Sequence, residues 1–100
     1  MDKFYALATP IRREILAILS GQKQLTATAI AEQFQVSPSA ISQHLKILLN
    51  SDLVLMHKQA QQRIYELNTD AMQELEEWAH LMSSQIAAIH PQTPKDATKT

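Results

Sequence analysis

Residues 37–50 read SPSAISQHLKILLN, and the fold is most readily inferred from this stretch. Ser37 followed by Pro38 places an N-capping side chain directly before a first-turn proline, a pairing typical of helix starts. The apolar residues that follow recur at steps of three and four along the chain. The stretch therefore predicts a helix over residues 38–50 with one apolar side and one polar side.

The two sides of this helix predict different roles. The apolar side consists of Ile41, Leu45 and Leu48, which we expect in the core. The polar side consists almost entirely of hydrogen-bond donors, namely Ser39, Ser42, Gln43, His44, Lys46 and Asn50. Glutamine suits adenine, lysine suits guanine or phosphate, and serine hydroxyls near a helix N-terminus suit phosphate. Such a side, taken alone, is more often an ordinary solvent-facing surface, so its meaning depends on the neighbouring elements.

Two further helices are predicted upstream. Thr9 and Pro10 repeat the helix-start signal, and the apolar spacing after them predicts a helix over 10–20. Its apolar side consists of Ile11, Ile15, Ile18 and Leu19. Residues 22–25 are expected as a loop, after which Thr26 can cap a short helix. The buried side of that short helix consists of Ala27, Ile30, Ala31 and Phe34.

Only a tight turn separates the short helix from helix 38–50. Two helices joined in this way form a helix-turn-helix motif, in which the second helix lies in the major groove of DNA. This position changes the interpretation of the polar side of helix 38–50. We expect that side to contact DNA.

A β-hairpin is predicted directly after this helix. Residues 53–58 and 63–67 are rich in β-forming residues, and the polar residues 59–62 separate them. The pattern therefore predicts a two-stranded wing over residues 54–67. A hairpin that only completes the edge of a sheet is the alternative, and one hairpin can serve both purposes.

The wing adds candidate contacts to those of the helix. Lys58 and Arg63 would lie against phosphates, while Gln61 and Gln62 near the tip would reach a minor groove. The predicted DNA-binding residues are Ser37, Ser39, Ser42, Gln43, His44, Lys46, Lys58, Gln62 and Arg63.

The last predicted helix, residues 70–89, carries more apolar surface than residues 1–69 need for one core. Its apolar side follows steps of three and four, typical of one helix packing along another, through Met72, Leu75, Ala79, Met82, Ile86 and Ile89. Trp78 and Leu81 widen this side. We therefore expect a homodimer joined through the N-terminal and C-terminal helices. The predicted interface residues are Phe4, Leu7, Leu75, Ala79, Met82, Ile86 and Ile89. A monomer that folds this helix onto its own core is the alternative.

The chain has 100 residues, 45% of them hydrophobic, which suits one domain with one modest core. We expect that domain over residues 1–90 and a disordered tail over residues 91–100. Cysteine is absent, which excludes disulfides, thiolate metal sites and cysteine nucleophiles. Neither a signal-peptide pattern nor a run long enough to span a bilayer is present, so we expect a cytoplasmic protein.

The formal net charge of -1 argues against DNA binding when taken alone, but the charge is unevenly distributed. Residues 1–69 contain seven Lys/Arg and five Asp/Glu, whereas residues 70–90 contain four Asp/Glu and no Lys or Arg. An acidic last helix therefore accompanies a mildly basic body. The acidic balance supports one alternative of another class, a dimeric protein-interaction module that has this fold without reading DNA.

The sequence predicts neither an enzyme nor a cofactor site. The single glycine leaves no glycine-rich phosphate loop, and no motif ties a histidine to a nucleophile and an acid. Glu77 and His80 are spaced to supply two metal ligands, but His90 lies too far along the helix to join them, so no metal site is predicted. A zinc- or nickel-sensing repressor that uses the last helix is the remaining alternative.

Several stretches together are typical of one known family. They are ALATPIRREIL at residues 6–16, residues 25–34, SPSAISQHLKIL at residues 37–48, and Leu53-Val54 followed by Arg63-Ile64-Tyr65. In these stretches the chain resembles the ArsR family of winged helix-turn-helix transcriptional repressors. The resemblance implies a dimer in which Ser39, Ser42, Gln43 and His44 read the major groove of a palindromic operator. It also implies that an effector shifts the protein between DNA-competent and incompetent states.

Three features depart from the family pattern. The cysteine pair that senses soft metals is missing, and Glu77, His80 and His90 do not reproduce the metal-sensing pattern of the last helix. The wing turn lacks the usual glycine. Asp52 stands where glycine is often found, although aspartate tolerates a left-handed backbone. The resemblance therefore implies a metal-independent repressor similar to the small autorepressors of the family.

Overall fold

The computed structural model describes residues 1–90. Within this range the elements follow in the order α1 (Lys3–Leu7), α2 (Pro10–Ser20), β1 (Leu25–Thr26), α3 (Ala27–Ala31), α4 (Pro38–Asn50), β2 (Val54–Gln59), β3 (Gln62–Leu67) and α5 (Thr69–Ile89). They belong to two compact units, one over Met1–Thr69 and one that begins at Asp70. The tail predicted over 91–100 lies outside the described residues, and the single domain predicted over 1–90 stays a prediction.

Local capping explains where the two helices of the helix-turn-helix begin. The Thr26 side chain accepts a hydrogen bond from the backbone N–H of Ala29 at 3.0 Å, and the Ser37 side chain accepts one from the backbone N–H of Ala40 at 3.1 Å. Each bond satisfies an N–H group that has no partner within its own helix. The predicted bounds of α2 and α4 are confirmed, because both helices begin at a proline in the first turn.

The core of the first unit draws on its helices and on the start of β2. Its largest fully buried apolar side chains are Ile15, Leu19, Ile30, Ile41, Leu45, Leu48, Leu53 and Val54. Removing one aliphatic side chain of this size from water stabilises the fold by about 1.5–3 kcal/mol. The predicted apolar side of α4 is confirmed, and its burial leaves the polar side of that helix exposed except for the half-buried His44.

The buried side of α2 differs from the predicted one. It consists of Arg12, Ile15, Leu16 and Leu19. The assignment of Ile11 and Ile18 to the core was wrong in degree, because both are only half-buried. The helix is rotated about its axis relative to the prediction, and a charged side chain therefore shares its buried side.

Three antiparallel strands form the sheet, in the order β1-β3-β2. The expectation of a loop up to Leu25 was wrong at its end, because Leu25 pairs with Tyr65 and Thr26 pairs with Ile64. Pairing between β2 and β3 runs from Val54 opposite Leu67 to the tip of the hairpin. The predicted wing over 54–67 matches the span of these two strands.

The turn of the wing is shorter than predicted. Gln59 pairs with Gln62, so only Ala60 and Gln61 connect the strands instead of residues 59–62. Ala60 has a φ of 57°, a left-handed conformation that favours glycine in two-residue hairpin turns. Because the wing turn has no glycine, an alanine occupies the left-handed position and its backbone is strained.

The corner between α4 and β2 is held by local hydrogen bonds. Asp52 has a φ of 63°, in the left-handed region expected for this position. Its backbone carbonyl accepts a hydrogen bond from the Asn68 side-chain amide at 2.8 Å, and the Leu53 carbonyl accepts one from the Asn68 backbone N–H at 3.0 Å. The last turn of α4 and both ends of the hairpin base are therefore fixed to one another.

The described part of the second unit is residues 70–90, which contain all of helix α5 except its first residue. Its side chains Trp78, Leu81, Ile86 and Ile89 are large, apolar and at least half exposed. No helix within residues 1–90 is long and apolar enough to cross a membrane.

Candidate nucleic-acid interface

A groove of about 550 Å³ separates the polar side of α4 from one face of the wing. Its lining residues are Ala27, Ser39, Ser42, Gln43, Lys46, Leu49, Asn50, Met56, Arg63 and Tyr65. The groove thus brings together five of the predicted DNA-binding residues, four from the helix and one from the wing. Their role in DNA binding stays a prediction, while their proximity is a finding.

The strand register explains which wing residues share the face that lines the groove. Side chains directly opposite each other in an antiparallel pair lie on the same face, and successive pairs alternate. Met56 pairs with Tyr65, and two residues nearer the tip Lys58 pairs with Arg63. Lys58 therefore lies on the same face as Arg63, and it extends this wall of the groove toward the tip.

Gln62 differs from the other predicted wing contacts. It pairs with Gln59 beside the turn, on the face opposite to that of Arg63. It is exposed at the tip. Contact between Gln62 and DNA would therefore be made by the tip of the wing.

The charges that the helix and the wing present here are positive. Lys46, Lys58 and Arg63 are all exposed, and no aspartate or glutamate is among the residues lining the groove. Glu66 of β3 pairs with Leu55 and so belongs to the other face of the wing. Exposed cations and amides in one concave surface suit the phosphate backbone and base edges of a nucleic acid.

Ser37 lies at the start of the same helix. Its oxygen accepts the capping hydrogen bond from Ala40, and the side chain is exposed. The hydroxyl hydrogen therefore stays free of the capping bond and can be donated to a phosphate oxygen.

His44 has a different environment from the other predicted contacts. It is half-buried, and its Nδ1 lies 3.2 Å from Nη1 of Arg12. Partial burial, followed by the positive charge of Arg12, lowers the pKa of His44 below its usual value of 6.5. At neutral pH the imidazole is therefore uncharged.

Arg12 is the functional candidate that the sequence analysis missed. It is buried, and it donates from Nε to the Ala6 carbonyl at 2.7 Å and from Nη2 to the Tyr5 carbonyl at 3.3 Å. Its position at i, i+3 and i+4 from the buried Ile15 and Leu16 would have indicated an arginine on the core side of α2. A buried arginine must find several acceptors, so the groups around it fix its position.

The predicted dimer interface residues lie on α1 and α5. On α1, Phe4 is 46% exposed and Leu7 is half-buried. On α5, Leu75 and Met82 are half-buried, Ala79 is exposed, and Ile86 and Ile89 are 58% and 72% exposed. Residues 1–90 contain no group of three histidine, aspartate or glutamate side chains placed to hold a metal ion.

Comparison with known proteins gives the same family from three directions. Residues 9–55 match the family model described as bacterial regulatory protein, arsR family. The chain is 40% identical over 75 residues to the transcriptional repressor SdpR of Bacillus subtilis, an alignment that covers 75% of this chain and 82% of SdpR. It is 34% identical over 88 residues to the arsenical resistance operon repressor of the same organism, covering 88% of this chain and 78% of that protein.

The fold is likewise similar to that of solved structures. The crystal structure of an ArsR family transcriptional regulator superimposes with a TM-score of 0.74 at 27% sequence identity, covering 82% of this chain and 84% of that one. The helix-turn-helix and the wing of this chain and its similarity to these proteins support the same assignment. The chain therefore belongs to the arsR family of bacterial regulatory proteins, and it is a winged helix-turn-helix DNA-binding transcriptional regulator rather than an enzyme.

Proposed function

We propose that this protein is a repressor that binds a palindromic operator in double-stranded DNA as a homodimer. In this proposal α4 lies in the major groove, and the wing lies over the adjacent backbone. The observation that carries it is the groove between α4 and the wing, which Gln43, Lys46 and Arg63 all line. Repression, rather than activation, is favoured by the relatives, which are named as repressors.

The roles of the lining residues follow from their chemistry. Gln43 would pair with a base edge, since its amide matches the N6 and N7 pattern of adenine. Ser37, Ser39 and Ser42, near the N-terminus of α4, would donate to phosphates or approach bases closely. Lys46, Lys58 and Arg63 would neutralise phosphates, and Gln62 would contact the backbone or minor groove from the tip.

The homodimer is supported by the apolar side chains that α5 presents. Ile86 and Ile89 lie on one side of the helix with Leu75, Ala79 and Met82 at steps of three and four. Large exposed apolar side chains in one row are costly in water and are typical of an interface. Phe4 and Leu7 of α1 would contribute to the same assembly. A twofold dimer would present two copies of α4, which explains the expectation of a palindromic site. Because its partner is the chromosome, we place the protein in the bacterial cytoplasm.

The operator can be identified by selecting bound sequences from a random pool of duplex DNA. We expect a palindromic consensus bound in the nanomolar range. Combined replacement of Ser42, Gln43 and His44 by alanine should abolish the preference for that consensus. Gln24→Ala, an exposed glutamine outside the groove, is the matched control and should leave binding unchanged. A triple variant that retains the preference would overturn the assignment of α4 as the reading helix.

The dimer is tested by sedimentation velocity. Ile86→Glu should give a monomer with weakened operator binding, because two carboxylates would be placed in an apolar interface. Ser84→Glu introduces the same charge on the opposite side of α5 and should stay dimeric. A dimeric Ile86→Glu protein would overturn the proposed interface. The protein-interaction alternative predicts no selected consensus at all, so the random-pool experiment separates it from the repressor.

A further inference from the structure

We propose that Arg12 is a positioning residue for operator recognition, which connects α1 to α4 and holds His44 as a hydrogen-bond donor at Nε2. The proposal rests on the proposed function of α4 as the reading helix. It assigns a role to a buried side chain that itself lies outside the groove.

Arg12 has its hydrogen-bond partners on two different helices. Its Nε and Nη2 donate to the carbonyls of Ala6 and Tyr5, at the C-terminal end of α1. Its guanidinium carbon lies 5.5 Å from the centre of the Tyr5 ring, within the range of a cation–π contact. The Tyr5 carbonyl also accepts the capping hydrogen bond from the Ala8 backbone N–H at 3.1 Å, so Arg12 adds a second donor there and a further one at the Ala6 carbonyl. Arg12 therefore fixes the end of α1 against α2.

The remaining guanidinium nitrogen of Arg12 contacts α4. Nη1 lies 3.2 Å from Nδ1 of His44 on α4. Arginine has donors but no acceptor, so Nδ1 of His44 must accept. A neutral imidazole that accepts at Nδ1 carries its single proton at Nε2. The contact with Arg12 thus selects one of the two neutral tautomers.

This tautomer determines which groups of DNA His44 can bind. With hydrogen on Nε2, His44 can donate to a phosphate oxygen or to N7 or O6 of guanine, but it cannot accept from an amino group of a base. The lowered pKa of His44 supports the neutral form at pH 7. Arg12 therefore restricts His44 to contacts with acceptors, and it makes that restriction depend on the position of α1.

Two substitutions of His44 separate the two ring nitrogens. His44→Asn keeps an acceptor near the Nδ1 position and removes the donor at Nε2. His44→Gln keeps a donor near the Nε2 position and removes the acceptor that Arg12 needs. Arg12→Lys keeps the positive charge but lacks the planar fork. Arg13→Gln is the matched control, because Arg13 donates to the Leu7 carbonyl at the same helix end and is exposed.

The experiment measures the His44 tautomer by ¹⁵N NMR and the affinity for the selected operator by fluorescence anisotropy. In the wild-type protein we expect the Nε2–H tautomer. Arg12→Lys should give a mixture of tautomers and about tenfold weaker operator binding. His44→Asn should weaken binding by a similar factor, and His44→Gln should retain more affinity than His44→Asn. Arg13→Gln should change neither the tautomer nor the affinity.

Wild-type His44 with its proton on Nδ1, or with both nitrogens protonated at pH 7, would overturn the proposal. It would also be overturned if Arg12→Lys weakened binding equally in the wild-type and His44→Ala backgrounds, since Arg12 would then act independently of His44. The NMR measurement on the wild-type protein needs no variant to fold. Failure of the wild-type protein to select any operator would instead overturn the proposed function, and the tautomer would still be known.

Discussion

Replacement of Lys58 by alanine should make the operator affinity less sensitive to salt, and the size of the change follows from the wing geometry. Lys58 lies opposite Arg63 on the wing face that lines the groove, and its side chain is exposed. A lysine at this place would neutralise one phosphate in each subunit. Each phosphate contact contributes about 0.9 to the slope of log affinity against log salt concentration.

The three cations Lys46, Lys58 and Arg63 occur twice in a dimer, which predicts a slope of about -5 for the wild-type protein. That slope corresponds to a loss of affinity of about 10³-fold between 50 and 200 mM salt. Removing Lys58 from both subunits should make the slope shallower by about 1.8. The preference for the operator over unrelated DNA should stay nearly constant, because phosphate contacts carry no sequence information.

Fluorescence anisotropy with a labelled operator, measured at several salt concentrations, determines both slopes. Lys23→Ala is the control, since Lys23 is exposed and lies between α2 and β1, outside both α4 and the wing. Equal slopes for the wild-type and Lys58→Ala proteins would refute the contact between wing and phosphate. A change as large in Lys23→Ala would show that the effect comes from net charge alone.

Three further predictions concern stability, each measured by urea unfolding at one protein concentration. Leu45→Ala should lower the free energy of unfolding by about 2–5 kcal/mol, because Leu45 is fully buried. Leu49→Ala should lower it by less, because Leu49 is only half-buried. Equal losses would contradict the assignment of Leu45 to the buried side of α4. Ala60→Gly should raise the free energy of unfolding by about 0.5–1 kcal/mol, because glycine relieves the strain of the left-handed backbone. Gln61→Gly is the control and should lower the free energy of unfolding, because Gln61 does not have a positive φ. A destabilised Ala60→Gly protein would argue against this turn. The lowered pKa of His44 means that the unfolded chain binds more protons than the folded one, so this contribution to stability is present above pH 6.5 and is lost as the pH falls below it. Arg12 of α2 is the charged group that contacts His44. The His44→Asn protein should therefore lack this part of the pH dependence, and an unchanged pH profile would count against it.

The elements that begin with a local signal were predictable from the sequence. The bounds of α4 follow from Ser37 and Pro38, whose capping and backbone preferences act within one helical turn. The polar side of α4 was predictable for the same reason, because helical periodicity is a local property. The wing was also predictable in kind, since β-forming residues cluster in two short runs.

The missed features depend on residues that are distant in the sequence. The strand β1 has only two residues, and it exists because Leu25 meets Tyr65 forty positions later. The partnership of Arg12 with His44 crosses 32 positions and depends on how α2 and α4 pack. The turn at Ala60 was misplaced because none of its residues has an intrinsic preference for the left-handed conformation.

The hydrogen bonds of Asn68 to the corner at Asp52 and Leu53 divide the hairpin into an anchored root and an unanchored end. Changes at the end leave the root in place, so the hairpin can be lengthened without moving α4. Each additional residue pair would extend its reach by about 3.3 Å, close to the spacing of one base pair. A longer hairpin on the same root would therefore extend further along a duplex while the position of α4 stays unchanged.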